Sequence, residues 1–178
     1  AEAWAGSASW SEAWRTSWRA WGLEERAEPT RPHFERFSLG VKRSLSLSPS
    51  WAGRIEITAQ GGRQLDRFSR YGFDGFENNL AGYPAWSVRY DRGVVARGSL
   101  SWRSTRGLRV GLLGDLARVH DSGLGPGFAT LPGLGLTVDL TLPGRLLLAG
   151  EWGYGFEGRD REGRRGTQVV KVTAYRVF

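Results

Sequence analysis

Charged side chains that could act as acids, bases or ion-pair partners stand at several odd-numbered positions between residues 89 and 151. The only histidines are His33 and His120 and there is no cysteine, so the spacing fits no Ser–His–acid triad, His–x–x–x–His pair or thiolate metal site. Catalytic carboxylates are the alternative to ion pairing, but mixed acids and arginines on one face favour a salt-bridged interior and no enzyme, cofactor or metal. We assign this lumenal network to Arg89, Asp91, Arg97, Arg109, Asp115, Asp139 and Glu151.

Strict alternation of apolar and polar residues is the pattern that must position these charges. From Leu134 to Leu142, every even position is a branched apolar residue and every odd position is small or polar. Pro143-Gly144 interrupts the run, and the alternation then resumes. This pattern predicts a β-hairpin, because successive side chains of a strand point to opposite faces. Each arm runs about ten residues, the length of a tilted strand that crosses a bilayer.

The same alternation predicts eight strands and a single domain over residues 1–178. Short connections alternate with long ones, and bacterial outer-membrane barrels combine an even strand number with this alternation. We therefore expect an all-β fold, an antiparallel up-and-down transmembrane β-barrel, either closed with eight strands or half of a sixteen-stranded one. The predicted strands are 3–21, 36–48, 51–65, 85–103, 107–119, 131–142, 145–157 and 166–178.

Two structural alternatives stay open at this point. Trp10, Trp14, Trp18 and Trp21 also fall at helical spacing, so residues 3–21 could form an amphipathic helix. A soluble, lipocalin-like barrel would place the apolar face inward, and alternation alone does not tell which face is inside. The Gly-, Ser- and Thr-rich polar face and the aromatic residues near strand ends favour the membrane barrel.

Composition narrows the partners and the compartment. The net charge of +7 would suit nucleic acid, but the arginines are spread at strand-like spacing, so we expect no nucleic-acid partner. No apolar run approaches the roughly 18 residues of a transmembrane helix. The sequence contains no Met, which indicates a processed mature chain or an excised segment, and the lack of Cys is compatible with an oxidising envelope.

Three stretches resemble the C-terminal half of the BamA-like surface-antigen superfamily of outer-membrane insertases and transporters. Residues 75–84 are similar to the family's inward-folded loop, whose Arg-Gly-Tyr or Arg-Gly-Phe tripeptide falls on Ala81-Gly82-Tyr83 here. Residues 112–119 resemble the strand whose aspartate faces the lumen, and residues 132–136 resemble the Gly-x-Gly-Leu strand. The resemblance covers residues 68–178 and implies an inward loop that includes Gly75, Phe76, Gly82 and Tyr83.

The resemblance also implies a location and a function. It implies a protein of the Gram-negative outer membrane that acts in protein insertion or translocation. In the family the arginine of the tripeptide anchors the loop against lumenal acids; here Ala81 takes its place, and Arg89 or Arg97 could substitute. The family barrel has sixteen strands, so this chain would close alone, pair with a second copy or complete an N-terminal half-barrel.

The C-terminus reads like an outer-membrane assembly signal. Tyr175 and Phe178 form it, which implies the barrel-assembly machinery as a partner. Outer-membrane lipid and lipopolysaccharide are the other expected partners, the latter through the arginines of residues 159–165. Two other functions remain possible: a small closed eight-stranded barrel with a structural, adhesive or narrow-pore role, and the membrane anchor of an upstream lipid-acting enzyme.

Overall fold

A computed structural model shows an all-β fold. It describes residues 2–14, 32–66, 68–73, 79–105, 107–121, 127–159 and 163–176, and no α-helix occurs in these ranges. A short 3-10 turn, Pro143–Arg145, connects the strand that ends at Leu142 to the strand that begins at Leu146. The strands are β1 (Glu2–Trp14), β2 (His33–Ser46), β3 (Trp51–Arg63), β4 (Tyr71–Gly72), β5 (Arg89–Tyr90), β6 (Arg92–Arg103), β7 (Leu108–His120), β8 (Phe128–Leu142), β9 (Leu146–Arg159) and β10 (Arg165–Arg176).

Eight of these strands form one antiparallel sheet in the order β1-β2-β3-β6-β7-β8-β9-β10, and β4 pairs with β5 separately. Antiparallel neighbours joined in chain order are what the predicted hairpins require. The ends of β2, β6 and β8 lead into the short connections, and we call that end of the sheet the short-turn end. The opposite end, which we call the long-connection end, carries residues 64–91 between β3 and β6.

The predicted strand bounds agree with the structure to within two residues except in four strands. One of them is β2, which begins at His33, three residues earlier than the predicted start at residue 36. Residues 2–14 form a strand, which excludes the helical alternative there, and the remainder of the predicted strand 3–21 lies outside the described residues. The predicted strand 85–103 begins only at Arg92, because residues 79–91 leave the sheet plane and pack on one of its faces. The strand β8 begins at Phe128, three residues earlier than the predicted start at residue 131.

The two faces of the sheet differ in chemistry and in exposure. The register carries Val41, Ile57, Ala96, Leu116 and Pro132 side by side across five strands. We call this side the apolar face, and its large side chains are exposed. They include Trp4, Trp10, Phe37, Leu39, Val41, Ile55, Ile57, Leu100, Leu112, Leu116, Leu134, Leu136, Val138, Trp152, Val170 and Val172.

The opposite side, which we call the covered face, contains the buried residues. Asp115 and Leu131 are only 6% and 7% exposed there, whereas Leu112 and Leu134 on the apolar face are 58% and 53% exposed. A lipocalin-like arrangement would bury the apolar side chains and expose the polar ones. The structure has the opposite arrangement.

The core lies between the covered face and the described residues of the connection from β3 to β6, which are 64–66, 68–73 and 79–91 and which we call the covering segment. The segment contributes fully buried Phe73, Leu80 and Tyr90, and the sheet contributes Val95 and Val119. Because the sheet's own apolar residues face the other way, this segment supplies most of the apolar side chains of the core. The core therefore depends on the segment staying docked.

The sheet ends in two strand edges. In the described residues, β1 pairs only with β2 and β10 only with β9, and no ladder joins β1 to β10. Within the same ranges, no helix is long and apolar enough to span a bilayer.

Candidate functional site

The innermost part of the covering segment is a turn at residues 79–83, which we call the tip. The Tyr83 amide donates to the Leu80 carbonyl at 3.1 Å, and Gly82 has a φ of +78°. That left-handed conformation suits glycine, which has no Cβ to clash with the backbone. A Cβ at Gly82 would also lie 1.9 Å from the Gly155 amide nitrogen, so the tip sits directly on the backbone of β9.

Glycines of β8 and β9 make the surface on which the tip rests. A Cβ at Gly133 would lie 2.4 Å from the Ala81 carbonyl oxygen, and one at Gly153 would lie 2.3 Å from the Gly82 nitrogen. A Cβ at Gly155 would lie 2.6 Å from the Tyr83 ring. These distances are too short for any side chain, so glycine permits the close approach of two backbones. We call Gly133, Gly153 and Gly155 the glycine cradle.

Polar groups from two strands hold the backbone of the tip. The Ala81 amide donates to Asp115 Oδ2 at 2.7 Å, and Thr167 Oγ1 donates to the Gly82 carbonyl at 2.6 Å. Arg97 Nε donates to the second oxygen, Asp115 Oδ1, at 2.9 Å, and so compensates the buried carboxylate. A buried charge is tolerated when it is both paired and hydrogen-bonded, and Asp115 meets both conditions.

Side chains on either side of the tip add two further contacts. Asn79 Nδ2 donates to Glu151 Oε1 at 2.8 Å. The Tyr83 hydroxyl donates to the Pro132 carbonyl at 3.0 Å and accepts from the Glu157 amide at 3.2 Å. Burial raises the pKa of Tyr83; the hydrogen bond from the Glu157 amide lowers it by less, and the Glu157 charge adds a still smaller upward contribution. The phenol therefore stays protonated and remains a donor.

The base of the covering segment is attached to the long-connection end of the sheet. The Tyr71 hydroxyl lies 2.7 Å from the Phe37 carbonyl, and the Tyr90 hydroxyl donates to Gln60 Oε1 at 2.6 Å. His120 Nδ1 lies 3.0 Å from an oxygen of Asp91. An ion pair joins Arg70 to Asp121 at 2.6 Å, with both side chains less than a tenth exposed.

Nearer the short-turn end, the covered face borders a polar hollow of about 460 Å³. Its lining comes from β2, β3, β6, β7 and β8 and includes Arg54, Ser99, Arg109 and Asp139. The closest approach between the Arg109 and Asp139 side chains is 3.9 Å, and these side chains are 42% and 32% exposed. The hollow therefore offers hydroxyl, guanidinium and carboxylate groups to a wet space.

The predicted lumenal residues form separate pairs instead of one network. Arg97 forms an ion pair with Asp115, and Arg109 approaches Asp139. Glu151 accepts a hydrogen bond from Asn79 and lies 3.7 Å from Lys171 Nζ. Two predicted members lie elsewhere: Arg89 stacks over the Trp86 ring with 5.6 Å to its centroid, and Asp91 pairs with His120. Arg89 and Arg97 were the two arginines expected to substitute at the lumenal aspartate for an arginine at position 81. Arg97 is the one that contacts Asp115.

The other predicted site residues are distributed as follows. Gly82 and Tyr83 lie at the tip, while Gly75, Phe76 and Phe178 lie outside the described residues. Tyr175 is half exposed on β10, on the same side of the sheet as Thr167.

Sequence reasoning missed the glycine cradle, although a signal for it was present. Gly133 pairs with Gly155 and Gly135 with Gly153 across the hairpin. The Pro143-Gly144 turn sets this register, so two facing pairs of glycines could have been recognised as a place where another backbone approaches. The His120–Asp91 and Arg70–Asp121 pairs had no such signal, because their partners come from distant segments.

Comparisons with known proteins add no function. No protein-family model, curated protein or solved structure matches this chain. Across the described ranges, no three His, Asp or Glu residues cluster in a way that could hold a metal ion. The functional argument therefore rests on the two faces of the sheet and on the docked tip.

Proposed function

We propose that this sheet is part of the wall of an outer-membrane β-barrel of the insertase/transporter type, and that it acts in protein insertion or translocation. The observation that carries the proposal is the inversion of the two faces. Apolar side chains are exposed across the sheet, while glycine, hydroxyl and charged residues lie under a docked segment. A transmembrane barrel has this arrangement, apolar outside and polar inside.

Lipid is the solvent that suits the apolar face. Burying a Val, Leu, Ile or Phe side chain is worth about 1.5–3 kcal/mol, and soluble monomers seldom expose large contiguous apolar patches. Here the exposed residues are contiguous, because Leu112 pairs with Leu136, which pairs with Trp152, which pairs with Val170. Contact with lipid acyl chains would supply the free energy of burial that these side chains do not gain while they are exposed to water.

The covering segment supplies the moving part in this proposal. Its tip closes the interior at mid-sheet, above the polar hollow, and is held largely by the backbone of Ala81 and Gly82. Release of the Asp115 and Thr167 hydrogen bonds would connect the hollow to the long-connection end. A polypeptide could then pass along a lining of hydroxyl and charged groups, which can hydrogen-bond to an extended backbone.

The membrane wall is tested with nitroxide labels on β8. The chain has no cysteine, so single cysteines at Leu134, Leu136 and Val138, with Thr137 and Asp139 as controls, can be labelled cleanly in lipid vesicles. The first three should be accessible to oxygen in the bilayer, and the two controls to a water-soluble nickel complex. The proposed membrane wall would be contradicted if the apolar positions and the two controls were equally accessible, or if the protein stayed dissolved without lipid or detergent.

The transport function needs a separate test. Vesicles containing the protein should accelerate the folding of an added, urea-unfolded outer-membrane barrel, measured by its heat-modifiable gel mobility. A disulfide between cysteines at Ala81 and Gly135 would lock the tip, because a Cβ at Gly135 would lie 3.5 Å from the Ala81 Cβ, a separation that suits a disulfide. The lock should remove the acceleration, which reductant should restore. Acceleration that is unaffected by the lock would separate the wall from the proposed moving part.

A further inference from the structure

We infer that the edges of β1 and β10 are paired by a second copy of this chain, which completes a ring of sixteen strands around two covering segments. This inference rests on the proposed membrane wall. Its starting point is the contrast between seven fully paired ladders and two strands that each pair on one side only in the described residues.

Eight strands cannot close around what this sheet already carries. A closed eight-stranded barrel has an interior just wide enough for its own side chains. Here the covered face also carries a folded segment, with the rings of Phe73, Tyr83 and Tyr90 almost completely buried and with backbone lying directly on the glycine cradle. A wall that encloses this segment must contain more strands.

Open edges are excluded by the surroundings that the apolar face requires. A strand edge presents a row of unpaired N–H and C=O groups, and the hydrocarbon region of a bilayer offers them no partner. The twelve residues of β10 include Val170 and Val172, which are 70% and 77% exposed and belong to the lipid-facing side. The edge therefore lies at membrane depth and needs a strand beside it.

A second copy satisfies the geometry of both edges. Because β1 and β10 are the first and last of eight antiparallel strands, they run in opposite directions, so a twofold axis along the barrel places β10 of one copy antiparallel to β1 of its partner. The two strands have 13 and 12 residues. Pairing them over their full length keeps the apolar faces continuous and brings Glu2 opposite Arg176.

The residues of β1 that face the interior suit such a junction. Ala5, Ser7 and Ser9 are small, exposed and on the same face as the covered residues of β2. They leave space for what the neighbouring copy carries on its own covered face. In the covering segment, Phe68 and Trp86 remain 72% and 52% exposed, so apolar surface is left for contact inside the ring.

The test uses pairs of cysteines in this cysteine-free chain. Nine double variants combine one substitution at Ala5, Ser7 or Ser9 with one at Val169, Lys171 or Thr173, which covers full overlap and neighbouring registers on the covered face. The proteins are oxidised in detergent micelles and in vesicles and separated on non-reducing gels. We expect a covalent dimer from at least one pair and a mixed dimer when the two single variants are combined.

Two results would overturn the inference. A disulfide within one chain would show that eight strands close on themselves, and the absence of any disulfide in all nine variants would show that the edges do not meet. The matched control joins Ala8→Cys with Thr173→Cys, which lie on opposite faces and should not cross-link in any register. The nitroxide experiment on β8 is independent of the cross-linking experiment. If the labels show a lipid-facing sheet and no dimer forms, the proposed membrane wall is retained and only the pairing with a second copy is rejected.

Discussion

Two parts of the covered face share the strands β7 and β8 and yet are occupied differently. At mid-sheet, β7, β8 and β9 present Asp115 and glycines to a backbone that touches them. Toward the short-turn end, β7 and β8 present Arg109, Thr137 and Asp139 to an open hollow. Removal of side chains at one level admits a second backbone, whereas retention of polar side chains at the next level leaves a wet space. The position of a residue along these strands therefore determines whether it contacts the tip or lines the hollow.

The largest effect on stability is expected when a glycine of the cradle is replaced by alanine. In Gly153→Ala the new Cβ would lie 2.3 Å from the Gly82 nitrogen, so the tip must move, and we expect about 3 kcal/mol of lost unfolding free energy. The matched control is Gly150→Ala on the same strand, where a Cβ would lie 3.7 Å from the Val138 carbonyl oxygen. Urea unfolding in vesicles measures both, and trypsin cleavage at Arg70 and Arg89 reports undocking. Equal effects would break the comparison.

The two aspartates give the next largest difference. Asp115→Ala leaves Arg97 without its partner and frees the Ala81 amide, so we expect a loss of about 3 kcal/mol, as for other broken buried pairs. Asp139→Ala removes only a 3.9 Å contact in the hollow and should cost less than about 1 kcal/mol. Asp115→Asn, which keeps an acceptor for the amide, should recover part of the loss. If both alanine variants lose the same free energy in urea unfolding, burial does not distinguish the two levels.

Removing single hydroxyl groups should have smaller effects. Tyr71→Phe deletes the hydrogen bond to the Phe37 carbonyl under the covering segment and should cost about 1 kcal/mol. Tyr175→Phe, at a half-exposed position on β10, should cost close to nothing. Thermal melting in detergent measures both, and a larger effect at Tyr175 would mean that β10 is covered in the assembled protein.

The smallest effect concerns pH. The pKa of Tyr83 is raised above 10.0 mainly by burial, so the docked tip favours the neutral phenol. Its contribution to stability is complete below pH 10 and is lost as the pH rises from there through the raised pKa. Absorbance titration of tyrosinate should show a late-ionising group that disappears in Tyr83→Phe and remains in Tyr175→Phe. A titration curve unchanged by Tyr83→Phe would mean that the tip does not desolvate this ring.

How far the sequence predicted the molecule differs between these parts. Period-2 alternation and the Pro143-Gly144 turn predicted the hairpin of β8 and β9 and most strand bounds, because both signals are local. An irregular segment was predicted only as far as Pro84. Residues 85–91 were predicted to belong to a strand, because Trp86, Val88 and Tyr90 alternate with polar residues as in a strand. Their position off the sheet comes from contact with distant residues, including Gln60 and Gly72, which alternation does not encode.

The candidate site was predicted in the same uneven way. The pairing of charges across adjacent strands follows from register, which is how Arg97 reaches Asp115. The separation of Arg89 and Asp91 from the other charges follows from the fold of the covering segment, and that fold depends on tertiary packing. Gly82 and Tyr83 were recognised through the family resemblance, and alternation gave no reason to single them out.

The two backbone hydrogen bonds of the tip come from residues that carry almost no rotamer freedom. Ala81 and Gly82 contribute an amide and a carbonyl, and burying either side chain costs essentially no side-chain entropy. The ordering cost of these two residues is therefore a backbone cost, concentrated at Gly82, because glycine loses more freedom than any other residue type. A short cross-link or proline that restricted the segment while it is undocked would shift the docking equilibrium without changing a single contact. The docking equilibrium could thus be tuned from outside the site, through the freedom of the undocked chain.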